Sequence, residues 1–368
     1  MHVRSLIAAS AACCITSTLF ASGPCPCATD LNNDGVTDAP DLAILLGAWG
    51  GTGLADFDEN GVIDATDLAV LLGAWGPCAP PANDNCAQAK VLSGQWVFES
   101  FCNTTATNSE PAFNADCDGD LTIIGQDLWY RYTTPYSGKL IVHTCDSTFD
   151  TVLAVYGSTI PGSCACPTNG FSLATLRACD DDAPTCDDAQ SFVEFDIAAD
   201  ECLAIRVGGY IFGGGTIGEG PGELNVRAIK TGDRCDIAHE LASQTHVEVD
   251  GTNAGDTWQQ IDQSSCGNGD TIDEWYRFVM PCDGTVDITT CHPGTDFDTT
   301  IAVFSDCNGA EIDCNDDSVA PGCQIDRLNR KSTVSISGAG GEVLFIRVSG
   351  FAAAVGNFRL VIDVDCLS

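Results

Sequence analysis

The chain has 368 residues, enough for two or three domains, and 44% of them are hydrophobic, which fits globular protein and excludes a disordered chain. With 52 acidic against 15 basic residues its formal charge is −37, which would repel a phosphate backbone and excludes nucleic acid as a partner. The same excess repels itself unless salt or bound cations offset it.

At the amino terminus, Met1-His-Val-Arg4 precedes an apolar run from Leu6 to Phe20 and the small residues Ala21-Ser22-Gly23, which predicts a secretory signal over residues 1–23. No later segment is apolar enough to predict a membrane span. Setting aside Cys13 and Cys14 leaves 20 of the 22 cysteines, an even number that predicts disulfides in an exported chain. The close pairs Cys25-Pro-Cys27 and Cys164-Ala-Cys166 have neither the longer spacing nor the histidine partners of a zinc site.

Residues 24–80 carry the most specific chemical signal. Two twelve-residue loops, Asp30 to Asp41 and Asp56 to Asp67, repeat 26 residues apart. Side-chain oxygens fall at positions 1, 3, 5, 9 and 12: Asp30, Asn32, Asp34, Asp38 and Asp41, then Asp56, Asp58, Asn60, Asp64 and Asp67. Gly35 and Gly61 at position 6 allow the sharp turn, and the carbonyls of Val36 and Val62 at position 7 add a ligand. Ca²⁺ takes six to eight oxygens at flexible distances, which alternate residues of a tight loop supply from one side. Each loop leads into a short apolar helix. Leu42, Leu45, Leu46 and Trp49 recur at i, i+3, i+4 and i+7, as do Leu68, Leu71, Leu72 and Trp75, so the two stripes are predicted to pack on each other. A core this small leans on metal ligation to fold, and Cys25 or Cys27 bridged to Cys78 would clasp its ends.

Aspartate at position 12, where an EF-hand has glutamate, and the lack of a helix before each loop separate this unit from EF-hands. Residues 28–78 resemble the dockerin type I module. The resemblance implies two bound Ca²⁺ and a cohesin-like partner contacting loop positions 10 and 11, here Ala39, Pro40, Ala65 and Thr66.

After the joint Pro77-Cys-Ala-Pro-Pro81 a second duplication begins. Asp127-Leu-Trp-Tyr-Arg-Tyr132 answers Asp273-Glu-Trp-Tyr-Arg-Phe278, Phe149-Asp-Thr151 answers Phe297-Asp-Thr299, and Ala204-Ile-Arg-Val-Gly-Gly-Tyr210 answers Phe345-Ile-Arg-Val-Ser-Gly-Phe351. Trp129 and Trp275, like Cys145 and Cys291, are 146 residues apart, which predicts homologous domains over 82–230 and 231–368. Alternating segments such as Gly138-Lys-Leu-Ile-Val-His143 and Asn357-Phe-Arg-Leu-Val-Ile-Asp363 predict about seven or eight strands per copy, paired as an antiparallel sandwich with one face of each sheet buried. The expected fold class is mainly β, with two tandem sandwiches behind a small helical unit.

The order of these motifs resembles the Cys-rich branch of the bacterial pre-peptidase C-terminal domains over nearly all of 82–368. The resemblance implies a jelly-roll-like sandwich and a non-catalytic accessory role in binding, surface attachment or stabilisation. It also implies Ca²⁺ held between an Asn-Asp pair and an acid just before the aromatic strand. The matching residues are Asn83, Asp84 and Asp127 in the first copy and Asp233 and Asp273 in the second, where Gly232 replaces the Asn. Asp150 with Asp180 and Asp181, and Asp298 with Asp316 and Asp317, would form a further acidic cluster if Cys145 were bridged to Cys179 and Cys291 to Cys314. Otherwise these residues cap turns through their own backbone.

No catalytic constellation recurs between the copies. His239-Glu240 lacks the second His of a zinc protease, no Gly-x-Ser-x-Gly elbow is present, and the stretch Gly213 to Gly220 lacks the Lys of a phosphate cradle. Arg206 and Arg347 are expected to pair with strand carboxylates on a wet face, and Trp129, Tyr130, Trp275 and Tyr276 to pack in the core rather than form a sugar platform. Three cysteines before the sandwiches, nine in the first and eight in the second predict a bridge from Cys25, Cys27 or Cys78 to a cysteine near Cys86. The sequence thus predicts no enzyme. It predicts a secreted, calcium-binding scaffold or adhesion protein, or alternatively an accessory subunit of a polysaccharide-degrading assembly, with a cell-surface or polysaccharide ligand.

Overall fold

The computed structural model describes residues 27–32, 34–58, 60–108, 114–117, 120–160, 162–167, 174–186, 189–213, 215–256, 264–324 and 331–367; the expected signal and Cys25 lie outside the described residues. Among the described residues no helix is long and apolar enough to cross a membrane.

The amino-terminal unit folds by reciprocity. Helix α1 (Ala39–Gly47) follows the first loop and α2 (Ala65–Gly73) the second. Ile63 of the second loop exchanges backbone hydrogen bonds with Gly50 and Gly51 after α1, both 2.8 Å, and Thr37 of the first loop pairs with Gly76 after α2. The Cys27–Cys78 disulfide closes the ends. Leu45, Ala55, Ile63 and Leu71 form the core, with Leu42 and Leu68 partly buried against it. The full stripes do not pack as expected: Leu46, Trp49, Leu72 and Trp75 remain about half exposed. Two nine-residue helices enclose one line of side chains each, so the i+4 and i+7 positions stay outside.

Each later copy is a sandwich of two sheets. In the first copy the smaller sheet runs Phe192–Ile197, Gly138–His143, Pro221–Lys230, Trp96–Cys102. Its larger sheet runs Lys90–Leu92, Asp120–Thr133, Cys202–Tyr210, Thr151–Ser158, Ala174–Asp180, with Asn114–Cys117 hairpinned onto the longest strand. The second copy repeats the smaller sheet as Thr333–Gly338, Gly284–Thr289, Asn357–Cys366, His246–Thr252. Its larger sheet runs His239–Glu240, Asp273–Val279, Val343–Gly350, Thr299–Phe304, Glu311–Asn315. Pairing is antiparallel except for the short first strand of each larger sheet, which is parallel.

Inner faces meet as alternation predicts, with Leu140, Val142, Leu224 and Val226 against Tyr130, Leu153, Ile205 and Val207 in the first copy. Only the smaller sheets have one wet face. The larger sheet of the first copy is buried on both faces: Trp129, Val152, Ala154 and Ala204 form a second apolar layer on the outside, with Cys86 and Cys179 packed against it. Central strands buried on both sides read as unbroken apolar runs, as Thr151–Ser158 does.

Three disulfides recur at matching places: Cys86–Cys166 with Cys235–Cys307, Cys117–Cys179 with Cys266–Cys314, and Cys145–Cys186 with Cys291–Cys323. The pairings Cys145–Cys179 and Cys291–Cys314 do not form. Cys164–Cys202 and Cys282–Cys366 belong to one copy each. Cys27, Cys78 and Cys86 are all bridged within their own units, so none of them makes the expected link, and Cys102 is disulfide-bonded as well.

Candidate functional site

Both acidic loops fold around their first and last aspartates. Asp30 accepts from Asp34 N at 3.1 Å and Gly35 N at 2.7 Å, while Asp41 accepts from Leu31 N at 2.8 Å, Asn32 N at 3.1 Å and Asp38 N at 2.8 Å. In the second loop Asp56 accepts from Asn60 N at 3.1 Å and Gly61 N at 2.8 Å, and Asp67 from Phe57 N at 2.6 Å, Asp58 N at 3.3 Å and Asp64 N at 2.8 Å. Gly35 and Gly61 take φ values of +85° and +88°, the left-handed turn that position 6 requires. Position 9 has a second role, since Asp64 caps α2 by accepting from Thr66 N at 2.7 Å. Asp34 Oδ1 and Asn60 Oδ1 bend each loop toward Val36 and Val62 by accepting from their amides at 3.0 and 2.9 Å.

The loops have the donors a hard cation needs. Carboxylate oxygens of Asp56, Asp58 and Asp67 lie within 4.8 Å of one another. In the first loop, Asp38 Oδ1 is buried without a hydrogen-bond partner among the described residues. Desolvation, then the charges of Asp34, Asp41 and Asp30, raises the Asp38 pKa. Backbone donors, Asp64 N foremost, lower that of Asp67. Cys27, Asp30 and Cys78 also converge, but the two sulfurs are bonded to each other and are not thiolates.

The sandwich carboxylates are engaged differently. Asp127 meets Arg206 Nε at 2.9 Å, and both are buried; Asp273 pairs with Arg347, which also contacts Asp270. These arginines lie over Trp129 and Trp275, on the covered face of the larger sheet and not on a wet one. Asp84 accepts from Thr107 Oγ1 at 2.7 Å, Asn83 Nδ2 donates to Trp129 O at 3.1 Å, and Asp233 is buried. None of these belongs to a three-ligand cluster among the described residues. Asp150 does lie near Asp181 and Asp182, and Asp316 near Asp298 and Asp317; burial first, then these charges, pushes Asp150 and Asp316 up to about 6. Asp180, at the end of its strand, accepts from Phe192 N at the start of the strand Phe192–Ile197 at 2.8 Å. The aromatic residues Trp129, Tyr130, Trp275 and Tyr276 are core, as expected.

Sequence reasoning passed over the wet face of the first copy's smaller sheet. Strand register places Trp96, Arg227, Ile141 and Glu194 in one row and Phe98, Asn225, His143 and Phe192 in the next. Trp96 is 58% exposed and Phe98 69%, with ring centroids 6.2 Å apart. The Arg227 guanidinium carbon lies 4.5 Å from the Trp96 centroid. His143 stacks on Phe192 at 6.0 Å, and burial lowers its pKa. Asn225 is only 4% exposed, and its Nδ2 has no hydrogen-bond partner among the described residues. In the second copy the same rows read His246, Asp363, Asp287, Ser335 and Glu248, Val361, Thr289, Thr333.

A groove of about 630 Å³ opens in the second copy between the edge strands His239–Glu240 and His246–Thr252. Lys230, the last residue of the first sandwich, reaches into its wall. Its ammonium donates to Glu274 at 2.7 Å, Asp256 at 2.9 Å and Thr252 O at 3.1 Å, which uses all three donors. His239 holds the other Glu274 oxygen at 2.5 Å. A Cβ on Gly232 would come within 2.6 Å of His239 Nε2 and 2.8 Å of Glu274 Oε1, which explains the glycine where the first copy has Asn83. This network clamps one sandwich to the next, with Lys230 and both Glu274 oxygens engaged and Asp256 Oδ2 buried without a partner among the described residues.

No curated protein matches the chain. Among solved structures, tripeptidyl peptidase 2 is 11% identical over 76% of this chain and 24% of its own, with a TM-score of 0.21, so the chain spans about a quarter of that protein. A fucolectin from serum of the striped bass Morone saxatilis is 12% identical over 74% and 97%, with a TM-score of 0.19. The tandem CBM51 modules of a Streptococcus pneumoniae family 98 glycoside hydrolase are 9% identical over 72% and 93%, with a TM-score of 0.17. Likeness this low carries no argument about fold or ligand. Residues 82–194 and 231–325, more than half of the chain and part of each sandwich, match a T9SS-associated family described as galactose binding domain-like. The two repeated sandwiches therefore place the chain in the galactose binding domain-like family.

Proposed function

We propose that the chain is an extracellular, calcium-stabilised, non-catalytic binding protein whose amino-terminal unit is a dockerin-like docking module. The observation that carries this reading is the repeated loop geometry, with Asp56, Asp58 and Asp67 converging within 4.8 Å. Asp30, Asn32, Asp34, Asp38, Asp41 and the Val36 carbonyl would hold one Ca²⁺, and Asp56, Asp58, Asn60, Asp64, Asp67 and the Val62 carbonyl the other. Bound Ca²⁺ would neutralise the crowded carboxylates and couple ligation to folding of a core of four buried residues. Leu46 and Trp49, repeated as Leu72 and Trp75, give the module two matching apolar faces beside exposed Ala39, Pro40, Ala65 and Thr66. Such faces suit a protein partner of the cohesin kind. Nine disulfides among the described residues suit an oxidising compartment. Calorimetry of the full chain should find two calcium sites, and Asp34→Ala and Asn60→Ala should each remove one. An absence of calcium uptake would refute the reading.

A second reading concerns the sandwiches. The exposed Trp96 and Phe98 and the galactose binding domain-like family favour carbohydrate as their ligand, and hence an accessory role beside enzymes borne on other chains. Purified protein assayed with Ca²⁺ against polysaccharides, peptides and esters should bind without turnover; hydrolysis abolished by one substitution would contradict the non-catalytic assignment.

A further inference from the structure

We infer that the wet face of the first sandwich's smaller sheet is a binding platform for a neutral polysaccharide chain, with Trp96 and Phe98 as the stacking surface and Arg227 as the hydroxyl-binding group. The inference rests on the carbohydrate reading and assigns it to one face of one copy.

The fold does not need aromatic residues there. At the matching positions the second copy has His246 and Glu248, held in ion pairs with Asp363 and Arg359, and its sheet forms all the same. An exposed Trp and Phe on an edge strand are an association hazard that charged residues normally blunt, as they do in the second copy. Arg227 is unusual in the same direction. In a chain of 52 acids and 15 bases it has no carboxylate partner among the described residues, and its guanidinium lies on Trp96 instead. Its Nε is buried without a hydrogen-bond partner among the described residues, as is Asn225 Nδ2 one row away.

A pyranose has a face of C–H groups and a rim of hydroxyls. Aromatic rings take the first by burial of apolar area, and guanidinium and amide donors take the second. The platform is a sheet face about 14 Å across four strands, open at its edge, which suits an extended chain better than one enclosed sugar. The charge of −37 disfavours uronate or sulfated chains, which leaves neutral glycans.

The test is affinity electrophoresis of the full-length calcium-loaded protein through gels holding a neutral β-glucan, a galactomannan, a xylan or a polygalacturonate. At least one neutral glycan should retard the protein, and Trp96→Ala or Phe98→Ala should each weaken binding about tenfold. Arg227→Gln should weaken it less, and His246→Ala with Glu248→Ala not at all. Circular dichroism should show that the variants remain folded. Retardation that survives the Trp96→Ala, Phe98→Ala double variant would overturn the platform and leave the carbohydrate reading standing. No retardation by any glycan would overturn both, whereas loss of self-association or of protein binding as the only effect of the double variant would overturn the platform alone. Preference for the polygalacturonate would overturn the assignment to neutral chains.

Discussion

The two sandwiches share a core and differ at the surface. Both place an Asp-x-Trp-Tyr-Arg strand against an Ile-Arg-Val strand, with the second arginine buried on the aspartate, and both close three equivalent disulfides. Where the first copy's smaller sheet presents Trp96, Phe98, Arg227 and Asn225 outward, the second presents His246, Glu248 and Asp363. Where the first has Leu128 in its core, the second has Glu274, gripped by Lys230 and His239. Most interior positions remained alike, while the wet face of one copy took an aromatic surface and the buried Glu274 of the other became part of a joint.

The largest expected effect tests the shared part. Removing one partner of a buried ion pair leaves an uncompensated charge, so Arg206→Met and Arg347→Met should each cost about 3–5 kcal/mol in denaturant unfolding. Arg347→Met should cost more, because it strands both Asp273 and Asp270, whereas the first copy has Ile124 where the second has Asp270. Equal and negligible losses would break the claim of a common structural pair.

Next comes the joint. Gly232 has a φ of +93° and no room for a Cβ, so Gly232→Ala should destabilise the second sandwich by about 1–3 kcal/mol. Calorimetric separation of the two sandwich transitions would locate the loss. A smaller, pH-dependent effect is expected at Asp256, whose carboxyl is pushed up to about 8 by burial and then by the Glu274 charge. A carboxyl raised above its unfolded value favours the fold while protonated. That contribution is complete below about pH 4 and is lost as pH rises through 8. Asp256→Asn keeps an acceptor for Lys230 but cannot ionise, so its stability should exceed that of the parent at pH 8 and the gap should close toward pH 4. A gap that widens on acidification would contradict the placement of this proton.

The smallest effect sharpens the contrast. Trp96→Ala and Phe98→Ala should change stability by no more than about 0.5 kcal/mol, since both rings are mostly in solvent. A loss of several kcal/mol would make them core residues rather than a surface.

Much of the architecture was legible because it is written twice. The 26-residue repeat placed both acidic loops and the Cys78 clasp, and the 146-residue register placed both sandwiches. Chain-level pattern failed where a third layer intervenes. Alternation marks Arg206 and Arg347 as outward, which they are, but it cannot show that loops tied by Cys86–Cys166 and Cys117–Cys179 cover that side of the sheet. Trp96-Val-Phe98-Glu-Ser-Phe101 carries large rings on both of its faces, so the sequence does not reveal which face is wet; pairing with Asn225 and Arg227 does. Disulfide connectivity was open in each copy, and the repeat does not close it: the expected Cys145–Cys179 and Cys291–Cys314 recur as well as the observed Cys145–Cys186 and Cys291–Cys323 do. In the helices, a stripe of apolar residues reports a face, and only the small thickness of the unit shows that half of it stays exposed.

Hydrogen–deuterium exchange of the calcium-loaded chain, with and without a saturating neutral β-glucan or whichever neutral glycan binds best, tests the divergence of the two copies most directly. Exchange should slow in Trp96–Cys102, the edge strand of the first smaller sheet, and remain unchanged in His246–Thr252, its counterpart in the second. Slowing confined to the second copy, equal slowing in both, or none in either would contradict the account.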